Sequence, residues 1–315
     1  MSEQKVIDFM GKRKICIAIS SVLLIISIAS LAMNGLKLGL DFTGGTLVEV
    51  HYSEAPVLEE VRQTLISGGF PSAIVQNYGS NTELLIRLQI DNSALGESGN
   101  TESIGENVAN TLQGASQAIV KLIRIELIGA QVSEELANDG GLGLLMALAV
   151  VFIYVALRFQ MKFSLGAVAA LAHDVIIVLG FFSLLQLEFD LTVLAAVLAV
   201  IGYSLNDTIV VADRIRENFR IIREEASERI INISLTQTLG RTLMTSITTI
   251  LVLLALFIFG GELIHNFSTA LLVGVGVGTY SSIYVAATVL LMTNISQEDL
   301  IIPEKEGADI EEELP

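Results

Sequence analysis

The chain has 315 residues, 52% of them hydrophobic, with a mean hydropathy of +0.66 and a formal net charge of −16. That composition is too apolar for a soluble domain of 315 residues, and several runs of about 20 apolar residues mark a polytopic membrane protein. The acids lie mostly outside those runs, in residues 41–139 and 298–313, which argues against nucleic acid as a partner.

Residues 1–14 carry Lys5, Lys12, Arg13 and Lys14 and precede an apolar run from Ile15 to Met33. That run is long for the apolar region of a signal peptide and lacks a small-x-small cleavage site before Asn34, so it reads as an uncleaved first span. It contains the sole cysteine, Cys16, so no intramolecular disulfide can form.

Residues 38–139 change character to polar, acidic and mixed in period. TLVEVHY (46–52) alternates as a half-buried strand, and VLEEVRQTLISGGF (57–70) has helical spacing and stops at Gly68-Gly69. AIVQNYG (73–79) and ELLIRLQI (83–90) read as strands joined by a Gly-Ser-Asn turn. A polar loop (91–103), a helix (104–118) and a strand (120–132) complete the order βαββαβ, a ferredoxin-like α+β domain. That fold serves many functions and assigns none.

Five further spans follow, at 140–158, 164–185, 191–213, 242–259 and 267–292, making six transmembrane helices. Lys and Arg cluster before span one, at Arg158 and Lys162, and from Arg214 to Arg241, whereas the short loops 186–190 and 261–266 have neither. The positive-inside rule therefore puts both termini in the cytoplasm and the 38–139 domain on the exoplasmic side. Between spans four and five, over 214–238, Ile215, Phe219, Ile222, Ala226, Ile230 and Ile233 form an apolar stripe. It reads as an amphipathic connector helix at the cytoplasmic surface. The tail from 294 is acidic, and 298–315 reads as disordered.

Three polar groups are expensive where they sit. Asp207, beside Asn206, lies about two turns inside the interface marked by Asp213 and Arg214, roughly 9 Å deep at about 1.5 Å per residue. An ionised carboxylate there costs at least about 2.5 kcal/mol and is usually paired, protonatable or both. It reads either as an interface carboxylate reaching water or as a proton-titrating site. Asp174, beside His173, lies near the middle of span three, as a structural hydrogen-bonding group or part of a proton path. Arg241 opens span five, followed by Thr245, Thr248 and Thr249 at helical spacing, and is either a positive-inside anchor or a partner for Asp207. GVGVG (274–278) follows no strand, so it is not a dinucleotide fingerprint; small residues for close helix contact account for it better. His51, His173 and His265 lack metal-ligand spacing.

GLKLGLDFTGGTLVEV (35–50), AHDVIIVLGFF (172–182), IGYSLNDTIVVADRIREN (201–218) and SLTQTLGRTLMTS (234–246) closely resemble the SecF family. These are membrane subunits, of the resistance-nodulation-division superfamily, that join SecD beside the bacterial Sec translocation channel. The resemblance covers roughly residues 35–293. It implies a non-enzymatic subunit of the cytoplasmic (inner) membrane that uses the proton-motive force to help draw unfolded preproteins out of the channel. Its partners would be SecD, the channel and the preprotein, with room for other accessory subunits. Protons are the coupling ion and no cofactor or metal is implied. The family's intramembrane Asp and Arg map onto Asp207 and Arg241, and its DFTGG motif onto Asp41 to Gly45, where Gly44 and Gly45 permit a tight turn into the domain.

Two rival readings differ in class. One is a proton-coupled half-transporter for small molecules or lipids; its weakness is an exoplasmic domain of only about 100 residues. The other is an intramembrane aspartyl protease built on Asp174 and Asp207, whose depths of roughly 16 and 9 Å disfavour a shared proton. The topology is directly testable. A cysteine placed in loop 91–103 should react with an impermeant thiol reagent on intact cells, and labelling only after lysis would overturn the orientation.

Overall fold

The computed structural model describes residues 6–78, 80–88, 101–128, 130–158, 161–222, 224–296 and 299. Six helices are long and apolar enough to cross a membrane. Span one is α1 (Arg13–Asn34), which stops at Gly35, whose φ of 66° an L side chain rarely adopts. Its large residues, among them Ile15, Ile19, Ile25 and Ile28, point outward, and its buried residues are Ser20, Ser27 and Ser30. This inversion suits a lipid solvent, where small residues let helix backbones approach.

A two-residue strand, β1 (Lys37–Leu38), and one helical turn, α2 (Leu40–Thr43), lead into the α+β domain. Its elements are β2 (Gly45–Tyr52), α3 (Leu58–Ser67), β3 (Ile74–Tyr78), β4 (Ser80–Leu88), α4 (Thr101–Ala115) and β5 (Val120–Ile128). The sheet is antiparallel in the order β3-β4-β2-β5, the ferredoxin-like arrangement of a βαββαβ chain. Alternation along β2 sends Val48, Val50 and Tyr52 inward, against Val61 and Leu65 of α3 and Val108 and Leu112 of α4.

The expected strand 120–132 is shorter than the alternation suggested. It ends at Ile128, and a helix, α5 (Ala130–Arg158), begins almost at once and carries span two. There Ser133 is buried, and its hydroxyl donates to the Leu40 carbonyl, docking the start of span two against α2. Loop residues 91–100, strand positions 89 and 90 and most of the acidic tail lie outside the described residues.

Span three is α6 (Met161–Leu185), span four α7 (Leu191–Ile221) and span five α8 (Ser227–Phe259). Between α6 and α7 lies β6 (Glu188–Phe189), paired in parallel with β1. Span six is α9 (Glu262–Ser281), a π-turn (Ser282–Ala286) and α10 (Ala287–Met292). Spans three, four and six form the middle of the bundle, with Leu171, Val178, Phe182, Val193, Val197 and Ala270 packed together.

The connector expected at 214–238 is not a separate surface helix. Span four runs on to Ile221, and span five starts at Ser227. The apolar stripe exists, but Ile215, Phe219 and Ile230 are at most 2% exposed. The two helix extensions face each other as a hairpin and close a core with Phe9, Met10, Leu235, Leu290 and Ile295. Burial in protein satisfies the stripe, so no membrane surface is needed.

The domain offers a pH test. Burial pushes the Tyr52 phenol from 10.0 up to about 12, so folding favours its neutral form. Its contribution is whole below the unfolded value and is lost as pH rises through the folded one. Expressed alone, residues 38–139 should unfold cooperatively, and the urea midpoint should fall between pH 10.0 and about 12. The fall should be smaller in Tyr52→Phe; equal falls would contradict the assignment.

Candidate functional site

Asp207 sits on the inward face of α7, in line with Ser204, Thr208 and Val211, and is 3% exposed. Its Oδ2 has no hydrogen-bond partner. The hydroxyls of neighbouring Thr208 and of Thr242 on α8 are also buried and unpartnered. A buried carboxylate oxygen without a donor is costly, so its retention asks for an explanation in function.

Arg241 stands exposed on α8 and makes no hydrogen bond or ion pair through its guanidinium among the described residues. It lines a polar cavity of about 500 Å³ between spans two, four and five, with Tyr154, Asp213, Glu217 and Gln237. Its charge acts on the Asp207 carboxylate across space, without contact. Asn206, one residue before Asp207, is exposed on the outer face of α7, in line with Ala195, Ala199 and Gly202.

Asp174 is the opposite case. It is 1% exposed and fully engaged: Ser204 Oγ of span four and Ser281 Oγ of span six donate to Oδ2, at 2.6 and 2.7 Å. His173 Nδ1 lies 2.9 Å from Oδ1, while His173 Nε2 has no partner. Three spans thus converge on one carboxylate. Close approach makes this geometry feasible. A Cβ at Gly274 would overlap the Val200 side chain, and one at Gly278 would crowd Ser204 and Asp174. The small residues of GVGVG therefore serve the inside of this fold at 274 and 278, whereas Gly276 and Gly202 meet nothing. Among the described residues no hydrogen bond joins Asp174 to Asp207, and Asp174 accepts from Ser204 and Ser281 instead, unlike two carboxyls that share a proton.

Asp41, Gly44 and Gly45 lie away from these carboxylates, at the domain end of the bundle. Asp41 Oδ2 accepts the Leu191 N–H at the start of span four, 3.1 Å away. Gly44 and Gly45 have φ of 74° and 154°, and a Cβ at Gly45 would strike the Leu88 carbonyl. Sequence reasoning missed Asp190, which caps α7 through the Val193 N–H at 2.9 Å, although an Asp before an apolar helix is a readable signal. It also missed Ser281 as a ligand of Asp174, which no spacing reveals.

The two carboxylates should separate in thermal unfolding of the purified protein in detergent. Asp174→Ala loses three hydrogen bonds at about 0.6–1.7 kcal/mol each and should cost about 2–5 kcal/mol. Asp207→Asn removes an unpartnered charge and should stay within about 1 kcal/mol of the parent or gain on it. A reversed order would contradict the assignment.

Residues 107–296 match the family model described as the C-terminal region of the protein export membrane protein SecD/SecF, and residues 29–56 match the SecD/SecF GG motif. Protein translocase subunit SecF of Vibrio alginolyticus is 47% identical over 99% of this chain and 98% of its own length. The subunit of Pseudomonas aeruginosa is 48% identical over 95% of both chains. The crystal structure of SecDF, a translocon-associated membrane protein from Thermus thermophilus, has a TM-score of 0.78 at 35% identity, covering 93% of this chain and 39% of that longer one. With identity of this order along nearly the whole length of its relatives, the chain belongs to the SecF family of protein translocase subunits.

Proposed function

We propose that this multi-pass subunit of the Sec export machinery couples proton movement to preprotein export, with Asp207 as the proton acceptor and Arg241 as the charge that tunes it. The observation that carries the reading is the buried, unpartnered Oδ2 of Asp207 inside span four. A protonated carboxyl tolerates that site better than a carboxylate, so taking up a proton changes the energy of the site. The polar cavity beside Arg241 supplies water access from one end of the bundle. Asp174 belongs to proton coupling as a positioning group: its donors fix span four, and hence Asp207, against spans three and six.

Both termini are assigned to the cytoplasm and the α+β domain to the exoplasmic side by the Lys/Arg asymmetry. The partner half is SecD, and the outer face of span four bearing Ala195, Ala199, Gly202 and Asn206 is the surface offered to it. Such a face lets a second helix backbone come close and hydrogen-bond the amide. The remaining partners are the Sec channel and the preprotein, and the coupling ion is the proton, without a cofactor. The subunit assists transport and catalyses no reaction of its own.

The test is protein export into inverted vesicles with and without a proton gradient. Asp207→Asn, which mimics the protonated shape, should assemble with SecD yet lose the gradient-dependent gain. Arg241→Lys should lose part of it, because a compact ammonium replaces the planar guanidinium. Full retention of the gain by Asp207→Asn would overturn the reading.

A further inference from the structure

The helix that carries Asp207 is fastened to the α+β domain at its first residue, by contacts that a membrane span does not require for its own folding. The five residues between spans three and four are held from several directions. β6 pairs with β1, matching Lys37 to Glu188 and Leu38 to Phe189, and the Gly39 N–H adds a bond of 2.9 Å to the Phe189 carbonyl. Glu188 reaches across to the domain, where Arg87 Nη1 of β4 donates to its Oε1 at 3.0 Å. This ion pair is well shielded, its side chains being 17% and 15% exposed. The backbone carbonyl of Glu188 accepts from Asn266 Nδ2 of span six at 3.1 Å. Asp41, in the turn that leads into the domain, then accepts the Leu191 N–H, the first peptide donor of span four.

We propose that Asp41 and the Arg87–Glu188 pair are positioning residues for proton-coupled export: they join the domain to the head of span four, so that the two move as one body. The helix end explains the choice of groups. The first N–H groups of a helix have no partner within it, and that end carries partial positive charge, so a carboxylate there is a strong acceptor. Asp190, the residue before the helix, takes the Val193 N–H and the Thr192 hydroxyl, and Asp41 takes a donor that the local cap leaves over. The second cap therefore comes from the segment that enters the domain, and Gly45 allows that segment to pass against the carbonyl of Leu88, next to Arg87. A shift of span four is thus transmitted to β4 through two charged contacts rather than absorbed in a slack loop.

This inference rests on Asp207 as the proton site, and the test separates the two claims. The complete SecD-containing assembly is placed in vesicles, and gradient-dependent export and proton flux are measured together. Arg87→Glu or Glu188→Arg alone should leave flux near the parental level while the export gained per proton falls about ten-fold, the usual size of a coupling between two sites. The double reversal should restore most of that ratio. Asp41→Asn keeps an acceptor oxygen and should retain the ratio, whereas Asp41→Ala should lose it. If a single reversal does not assemble, Glu188→Gln is read by the same ratio and should lower it. An unchanged ratio in the single variants, or no recovery in the double reversal, overturns the joint. An Asp41→Asn variant as impaired as Asp41→Ala overturns the capping role. Flux that persists in Asp207→Asn would defeat the proton-site reading instead.

Discussion

Lipid gives apolar helices no reward for leaving it, and the inner architecture follows from that constraint. Water would sort Leu and Ile inward; here span one turns them outward and buries three serines. What holds the spans together is close backbone approach and hydroxyl hydrogen bonds in a medium with few competing donors. Ser30 of span one meets Ser183 of span three at 2.9 Å, beside Gly180, where any Cβ would collide with Ser27. Ser246 of span five meets Thr279 of span six at 2.6 Å, and Tyr203 of span four joins Ser246. Each contact is small, and together they choose one register for each helix pair.

The same rule separates the two intramembrane aspartates. Asp174 is drawn into the adhesive pattern and saturated by donors from two other spans. Asp207, one helical turn beyond Ser204 on the same span, receives none at Oδ2. Two identical side chains thus meet different surroundings, one saturated by donors and the other holding a buried oxygen that has none.

Much of this was legible in the sequence, for reasons that differ by region. Six spans follow from apolar runs, and the strand order of the domain follows from a βαββαβ alternation that admits few sheet arrangements. Gly44 and Gly45 came from the family resemblance rather than from spacing, and their positive φ is backbone that other residues avoid. The stripe through Ile215, Phe219 and Ile230 was seen, but its partner was not: periodicity shows that a face is apolar, not what covers it. The Asp174 ligands were hidden because Ser204 and Ser281 lie on other helices, and the Arg87–Glu188 bridge spans two distant segments. Such meetings are set by tertiary packing.

The overrun of spans four and five has a mechanical meaning. At about 1.5 Å per residue, the 31 residues of α7 extend roughly 46 Å, whereas the hydrocarbon layer is about 30 Å thick. The surplus continues beyond the apolar layer without a joint and ends in the hairpin core around Phe219, Ile230 and Met10. Asp207 lies between the capped head and this far tip, so α7 is a lever with a stiff arm on either side of that carboxylate. A lever of that form cannot tilt at one end only. Any rocking that carries the domain must swing the hairpin the opposite way, making the motion readable on the far side of the membrane.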